Sequence, residues 1–195
     1  ALRSISQLRD QNALDEAFEL LTAKGDFNNW KNYLIIANNI MPKGDLKTIE
    51  RAKEAVRLFP TNSDIKSLFN TIAIGQENIN EAQKLSNLAL TNFNQQDYVQ
   101  AAANFEKAIA LNPYEYAFYE NAATSNYLTG DLNKALEQID KVINEMNPLN
   151  GKCEYIKALI FIKMGDPIGA CPLLATSRDS GYGQAEGTFN QYCKN

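Results

Sequence analysis

From Tyr98 onward, apolar or small residues fall at Ala101, Ala102, Phe105, Ala108, Ile109 and Leu111. Spacings of three and four place them on one face of an amphipathic helix. The stripe returns at Leu132, Ala135, Leu136, Ile139, Val142, Ile143 and Met146. A third copy runs Tyr155, Ile156, Ala158, Leu159, Phe161 and Ile162, then resumes after Gly165-Asp166 at Ala170, Leu173 and Leu174. No stretch alternates with period two between hairpin turns, so the pattern predicts an all-α chain. Antiparallel helix pairs are expected at Glu81–Leu111, Tyr114–Met146 and Lys152–Arg178. Upstream, less regular helices are expected near Asn12–Ala23, Asn28–Asn39, Leu46–Leu58, Ser63–Ile74 and Asn78–Phe93.

The breaks carry their own chemistry. Asn112-Pro113 and Asn147-Pro148 close helices, because proline disfavours helix at the residue before it. Gly130 suits a left-handed stop and Asp131 an N-cap. Lys24-Gly25-Asp26 and Lys43-Gly44-Asp45 read in the same way, as a basic last turn, a glycine stop and an Asp cap, rather than as an adhesion tripeptide. Pro167 fits a first helical position, whereas Pro172 lies deep enough to bend or shorten its helix.

The units recur. Asp97 and Asp131 are 34 residues apart, and Asp131 and Asp166 are 35 apart. Small residues recur with them at Ala89, Ala101 and Ala108, at Ala123 and Ala135, and at Ala158 and Ala170. Val142 and Ser177 depart from Ala108, and the third unit lacks a closing proline. This pattern resembles the tetratricopeptide repeat family, whose period is about 34 residues. The resemblance is clear from Glu81 to about Gly181 and looser from Asn28 to Pro60. It implies a helical-repeat superhelix of antiparallel helix pairs, with residues 1–80 an irregular helical region holding a degenerate repeat at about 28–60. Residues 81–182 are then three repeats and 183–195 a C-terminal capping helix.

The family resemblance also implies a binding surface, a concave groove lined by first helices that holds a peptide or partner protein. By position the groove residues are Asn87, Leu90 and Phe93 in the first repeat, with Gln83 beside them. They are Glu120, Asn121, Thr124 and Tyr127 in the second, and Lys152, Tyr155 and Ile156 in the third. Asn87 and Asn121 match a groove asparagine that in the family bonds a peptide backbone. Chaperone-binding members clamp a terminal carboxylate with Lys, Asn and Arg. Here Ser86 and Glu120 stand in the way of that clamp. The aromatic run Tyr114-Glu115-Tyr116-Ala117-Phe118-Tyr119 suits either an interface or packing between repeats, with Tyr119 at a core position.

Charge and composition narrow the function classes. The formal net charge of −4, without a basic stripe, argues against nucleic acid. The chain contains no histidine, which excludes Ser-His-Asp and Cys-His catalysis and removes the commonest zinc ligand. Asp15-Glu16 and Glu77 with Glu81 fall on predicted solvated faces, unlike an acid–base pair. No phosphate loop, dinucleotide fingerprint or nucleophile elbow occurs. We therefore expect no enzyme, no cofactor and no metal. Cys153, Cys171 and Cys193 lack a CxxC spacing and admit two readings: three packed thiols, or a Cys171–Cys193 disulfide in an oxidising compartment.

No apolar run approaches the ~20 residues of a membrane helix, so this segment is not expected to insert directly into a membrane. The chain begins Ala1-Leu2-Arg3 without Met, which reads as a mature form or an excised part of a longer protein. A second resemblance joins that observation. Asn112 to Asn121, Gly151 to Tyr155 and Gly169-Ala170-Cys171 are similar to repeat tails of bacterial O-antigen ligase or polymerase proteins. It implies a soluble domain fused to or associated with a membrane glycan-assembly protein, on the cytoplasmic or periplasmic face of a bacterial membrane.

Overall fold

The computed structural model describes residues 11–22, 25–146, 148 and 150–194. Ala23, Lys24 and Asn147, each part of an expected boundary, lie outside the described residues. Among those described, the chain is helical and contains no strand. Eleven α-helices follow in order. They are α1 (Gln11–Thr22), α2 (Phe27–Ile40), α3 (Leu46–Leu58), α4 (Ser63–Ile74), α5 (Gln76–Asn94) and α6 (Tyr98–Leu111). After these come α7 (Tyr116–Thr129), α8 (Leu132–Lys141), α9 (Lys152–Lys163), α10 (Pro167–Asp179) and α11 (Ala185–Cys193). The described residues fall into two compact units that divide between Ile79 and Asn80.

The first unit is built around Leu14, Trp30, Tyr33, Leu34, Ala52, Ile65 and Phe69, all buried. Its helices start where the sequence supplies an acceptor. Asp26 caps α2 by accepting from Asn28 N at 2.7 Å, Asp45 caps α3 through Thr48 N at 2.8 Å, and Asn62 caps α4 through Ile65 N at 3.1 Å. Gly25 and Gly44 take positive φ of 61° and 83°, as stops before an Asp cap require. Asp15 departs from its expected solvated face. Its carboxylate bridges Lys47 at 2.6 Å and Arg51 at 2.8 Å, and Arg51 donates to the Tyr33 hydroxyl at 2.8 Å. The Arg51 guanidinium also lies 3.9 Å from the centre of the Phe18 ring. The Asp15–Arg51 ion pair thus ties α1 to α3 across the top of the aromatic cluster.

The second unit stacks three helix pairs, α5/α6, α7/α8 and α9/α10, each joined by a connection too short for anything but an antiparallel return. The small residues meet where helices cross. Ala82, Ala89, Ala101, Ala108, Ala122, Ala123, Ala135, Ala158 and Ala170 are all fully buried. Larger side chains fill the spaces around them. Phe105 packs with Ala89, Ala101 and Ala122; Phe118 packs with Ala82 and Ala108; Ile139, Val142 and Ile160 pack with Ala123 and Ala135. Tyr119, expected in the core, is 4% exposed.

One turn recurs between the members of each pair. Asp97, Asp131 and Asp166 cap the second helices, accepting from the backbone N of Gln100 (3.1 Å), Lys134 (3.3 Å) and Gly169 (2.8 Å). The residue before each cap is left-handed: Gln96 at φ 63°, Gly130 at 92° and Gly165 at 90°. Pro167 occupies the start of α10, and Pro172 lies inside it without ending it. The end of the second pair was not anticipated. After α8 the chain continues as a π turn, Val142–Met146, beginning at the residue larger than Ala108 and Ser177 at the same register.

Two outcomes test this packing. Ala101→Leu or Ala135→Leu puts three extra carbons into a filled helix crossing and is expected to lower unfolding stability by roughly 1–3 kcal/mol, read by chemical denaturation. Gln96→Gly is expected to act in the opposite direction. Relief of a left-handed backbone outweighs the added freedom of the unfolded chain by roughly 0.5–1 kcal/mol, so the midpoint should rise.

Candidate functional site

The positions assigned to a groove lie on the first helices α5, α7 and α9, but they are not equivalent. In α5, Gln83, Asn87 and Leu90 are exposed, and the Gln83 amide donates to the Asn87 side-chain oxygen at 3.1 Å. Leu90 is 42% exposed, beside Leu88 at 50% on the same helix. Phe93 is half-buried, edge-on to Tyr98 with ring centres 5.1 Å apart. In α7, Asn121, Thr124 and Tyr127 are half-buried, and the Thr124 hydroxyl turns back to donate to the Glu120 carbonyl at 2.8 Å.

Glu120 is the charged residue of the face that lies inside the protein, at 3% exposure. A buried carboxylate persists only when it is paired and hydrogen-bonded. Lys152 supplies the charge at 2.8 Å and the Cys153 thiol donates at 3.2 Å. The two charges therefore neutralise each other, with Glu120 buried and Lys152 a third exposed. Burial, and after it the Glu120 carboxylate, push the Cys153 thiol far above its ordinary value. A thiol so held is protonated and inert, not a nucleophile. The same setting raises the Tyr116 phenol, through burial first and then the Glu120 and Glu115 charges. Ile156 sits in the core beside Cys153 and Ile160 at 6% exposure, so the structure takes this groove position out of the surface.

The C-terminal end of the face is aromatic. Tyr155 stacks on Tyr182 with ring centres 5.1 Å apart, and its hydroxyl lies 3.2 Å from that of Thr188 in α11. Tyr127 is close enough to Tyr155 and Tyr192 for their charges to raise its phenol, after the larger effect of burial. Lys163 completes this end. Its ammonium donates to the Tyr127 carbonyl at 2.6 Å and lies 4.4 Å from the centre of that ring. Sequence reasoning missed Lys163, Tyr182 and Tyr192, none of which stands at a groove position of the repeat register.

It also missed a polar bridge. Asn104 donates to Asn92 at 3.0 Å and Asn126 to Gln138 at 2.9 Å, joining the two helices of the first and second pairs. The signal was available, since Asn92 and Asn126 are 34 residues apart, as are Asn104 and Gln138. In the third pair the equivalent residues are Phe161 and Leu173, which share an apolar cluster with Phe189 and Cys193. Cys171 and Cys193 form a disulfide with their Cα atoms 5.7 Å apart, and Cys153 is free and buried. The reading of three packed thiols is thus corrected. Cys171 opens onto the surface beside Pro172 and meets Cys193 as α11 folds back. Among the described residues no cluster of three or more His, Cys, Asp or Glu side chains could hold a metal ion, and no helix is long and apolar enough to cross a membrane.

The buried thiol makes a testable contribution. The folded state retains the Cys153 proton above pH 9, where the unfolded chain releases it, so stability is complete below that pH and falls as pH rises. Between pH 9 and 10 this thiol's contribution to the slope approaches about 1.4 kcal/mol per pH unit, and the raised phenols of Tyr33, Tyr116 and Tyr127 add to it in the same direction toward pH 10. Denaturation across that window should show the slope in the natural chain and a flatter one in Cys153→Ala.

Residues 77–115 match the tetratricopeptide repeat model. Among solved structures, the chain is similar to the TPR2AB domain of yeast Sti1 in its pHSP90 complex. That match has 18% identity and a TM-score of 0.55, covering 96% of this chain and 77% of that one. It is also similar to MamA, at 17% identity and a TM-score of 0.49, over 95% of this chain and 99% of that one. No curated protein matches. The likeness to O-antigen ligase or polymerase tails has no counterpart in these matches. The chain has the tetratricopeptide-type helical-repeat fold, a fold that commonly mediates protein–protein interaction, with a recognised repeat at residues 77–115.

Proposed function

We propose that residues 81–182 form a protein-interaction module and that a peptide or partner segment lies along the face of α5, α7 and α9. The observation that carries this reading is the state of that face. Asn87 and Leu90 are exposed and Asn121 half-buried, with no part in the alanine crossings that hold the helices together. The favoured ligand is an uncharged stretch of chain with apolar and aromatic side chains. Asn87 and Asn121 offer it backbone hydrogen bonds, Leu90 and Phe93 apolar contact, and Tyr127 and Tyr155 stacking. An acidic C-terminal peptide fits less well, because Glu120 already holds Lys152 and Ser86 is buried where a clamp lysine would stand. The solved complex of the similar Sti1 domain lends the general mode, not the ligand. Neither catalysis nor nucleic-acid binding is part of the reading.

A partner identified by affinity capture provides the assay. Asn87→Ala with Leu90→Ala, both exposed, should weaken binding about tenfold, roughly 1.4 kcal/mol, with the melting temperature nearly unchanged. Asn121→Ala with Tyr127→Ala should do the same for binding while costing some stability. Unchanged affinity in both, with loss on substituting Val99 and Ile168 of the second helices, would move the site elsewhere.

A further inference from the structure

The last described helix has few buried side chains of its own. α11 has nine residues, short of the length at which a helix persists alone in water. Gly187 lies within it, no side chain caps its N-terminus, and Ala185 alone among its residues is buried. Its noncovalent ties include the packing of Phe189 against the Ala158, Ala170 and Leu174 cluster, the Tyr155–Thr188 hydroxyl contact, Arg178 over the Phe189 ring at 4.7 Å, and an exposed Arg178–Glu186 ion pair at 3.7 Å.

Its placement nevertheless follows the repeat. Cys193 lies 35 residues after Ala158, as Ala158 lies 35 after Ala123. The Tyr155–Thr188 contact spans 33 residues, as does the Glu120–Cys153 bond between α7 and α9. α11 therefore stands in the position of the first helix of a fourth repeat. Cys193 takes the place of the small residue by which such a helix packs, and Cys171 follows Ala170, the buried alanine of α10 that matches Ala135. The bond that fixes this helix is covalent, and both cysteines are partly exposed.

We propose that the Cys171–Cys193 disulfide is a dithiol-sensitive latch on this half-repeat. One thiolate of a dithiol reductant attacks a sulfur of the bond and forms a mixed disulfide. Its second thiol then displaces that sulfur, leaving the reductant as a cyclic disulfide and both cysteines as protonated thiols. The exchange moves two electrons to the protein. With the covalent tie gone, α11 leaves Tyr155, Phe161, Ile162 and Leu173 uncovered and carries Tyr192 away from Tyr127 and Tyr155. The latch thereby sets the aromatic end of the first-helix face. It does so whether or not that face binds a peptide.

Amide hydrogen exchange on the full chain, with and without dithiothreitol under native conditions, tests the latch. Reduction should accelerate exchange about tenfold or more at residues 185–193 and leave α5 to α8 unchanged, the signature of local opening. Iodoacetamide should then label Cys171 and Cys193 while Cys153 stays protected. A Cys171→Ser/Cys193→Ser double variant should show the fast α11 exchange from the start and no response to dithiothreitol. Three results overturn the proposal: unchanged α11 protection after complete reduction, acceleration spread evenly over the whole unit, or a disulfide that dithiothreitol does not reduce in the folded protein.

Discussion

The second unit depends on how closely its helices approach. An alanine methyl at a crossing lets two backbones come near enough for neighbouring side chains to interlock, and a longer side chain there would hold them apart. Nine such alanines are buried completely. With that spacing fixed, Phe105, Phe118 and Ile139 reach across to fill the gaps, and each first helix presents its remaining sides outward at a constant pitch. The outward face of the first helices is thus a by-product of the core. Residues not needed at the crossings are free to vary, and there asparagine, leucine and tyrosine appear.

Polar groups inside this framework are admitted only in complementary sets. The Asn92–Asn104 and Asn126–Gln138 bridges join paired helices at one register, each amide answering another. Glu120 is admitted on the same terms, with Lys152 and Cys153 satisfying it from the next helix. These contacts are directional, unlike methyl packing. They specify which helix lies beside which and in what register, a need that grows when neighbouring repeats look alike.

Much of the fold was legible because repetition multiplies weak local signals. Asp97, Asp131 and Asp166 each mean little alone; at near-constant spacing, with a left-handed residue before and a helical stripe after, they locate three turns. The face was less legible because register gives direction and not depth. Glu120 and Ile156 stand at outward positions, yet Glu120 is held by Lys152 and Cys153 of α9, and Ile156 packs into the cluster around Tyr119 and Ile139. Charge alone suggested exposure for Glu120, and only the adjacent Lys152-Cys153 pair explains its burial. The Asp15 ion pairs were illegible for a related reason: Lys47 and Arg51 are more than thirty residues away and lie outside the three regular repeats. The cysteines were ambiguous because spacing along the chain does not reveal which thiols fold together.

The third repeat departs from the other two in a consistent direction. Where the first two place amide bridges, it places Phe161 and Leu173; where they carry Asn87 and Asn121, it carries Ile156; and at the site of a packing alanine in the following helix stands Cys193. Each change exchanges a contact a repeat can satisfy by itself for one that needs a neighbour. Apolar side chains at a bridge position require cover from the next helix in the stack. α11 provides that cover with few buried groups of its own, which is why a covalent bond is found at this junction while the junctions between earlier repeats rely on alanine packing and the Glu120 network. The amphipathic stripe that defines a repeat is therefore not enough to hold α11; its junction with α10 uses a different kind of contact, and Phe161, Cys171 and Leu173 are fitted to it.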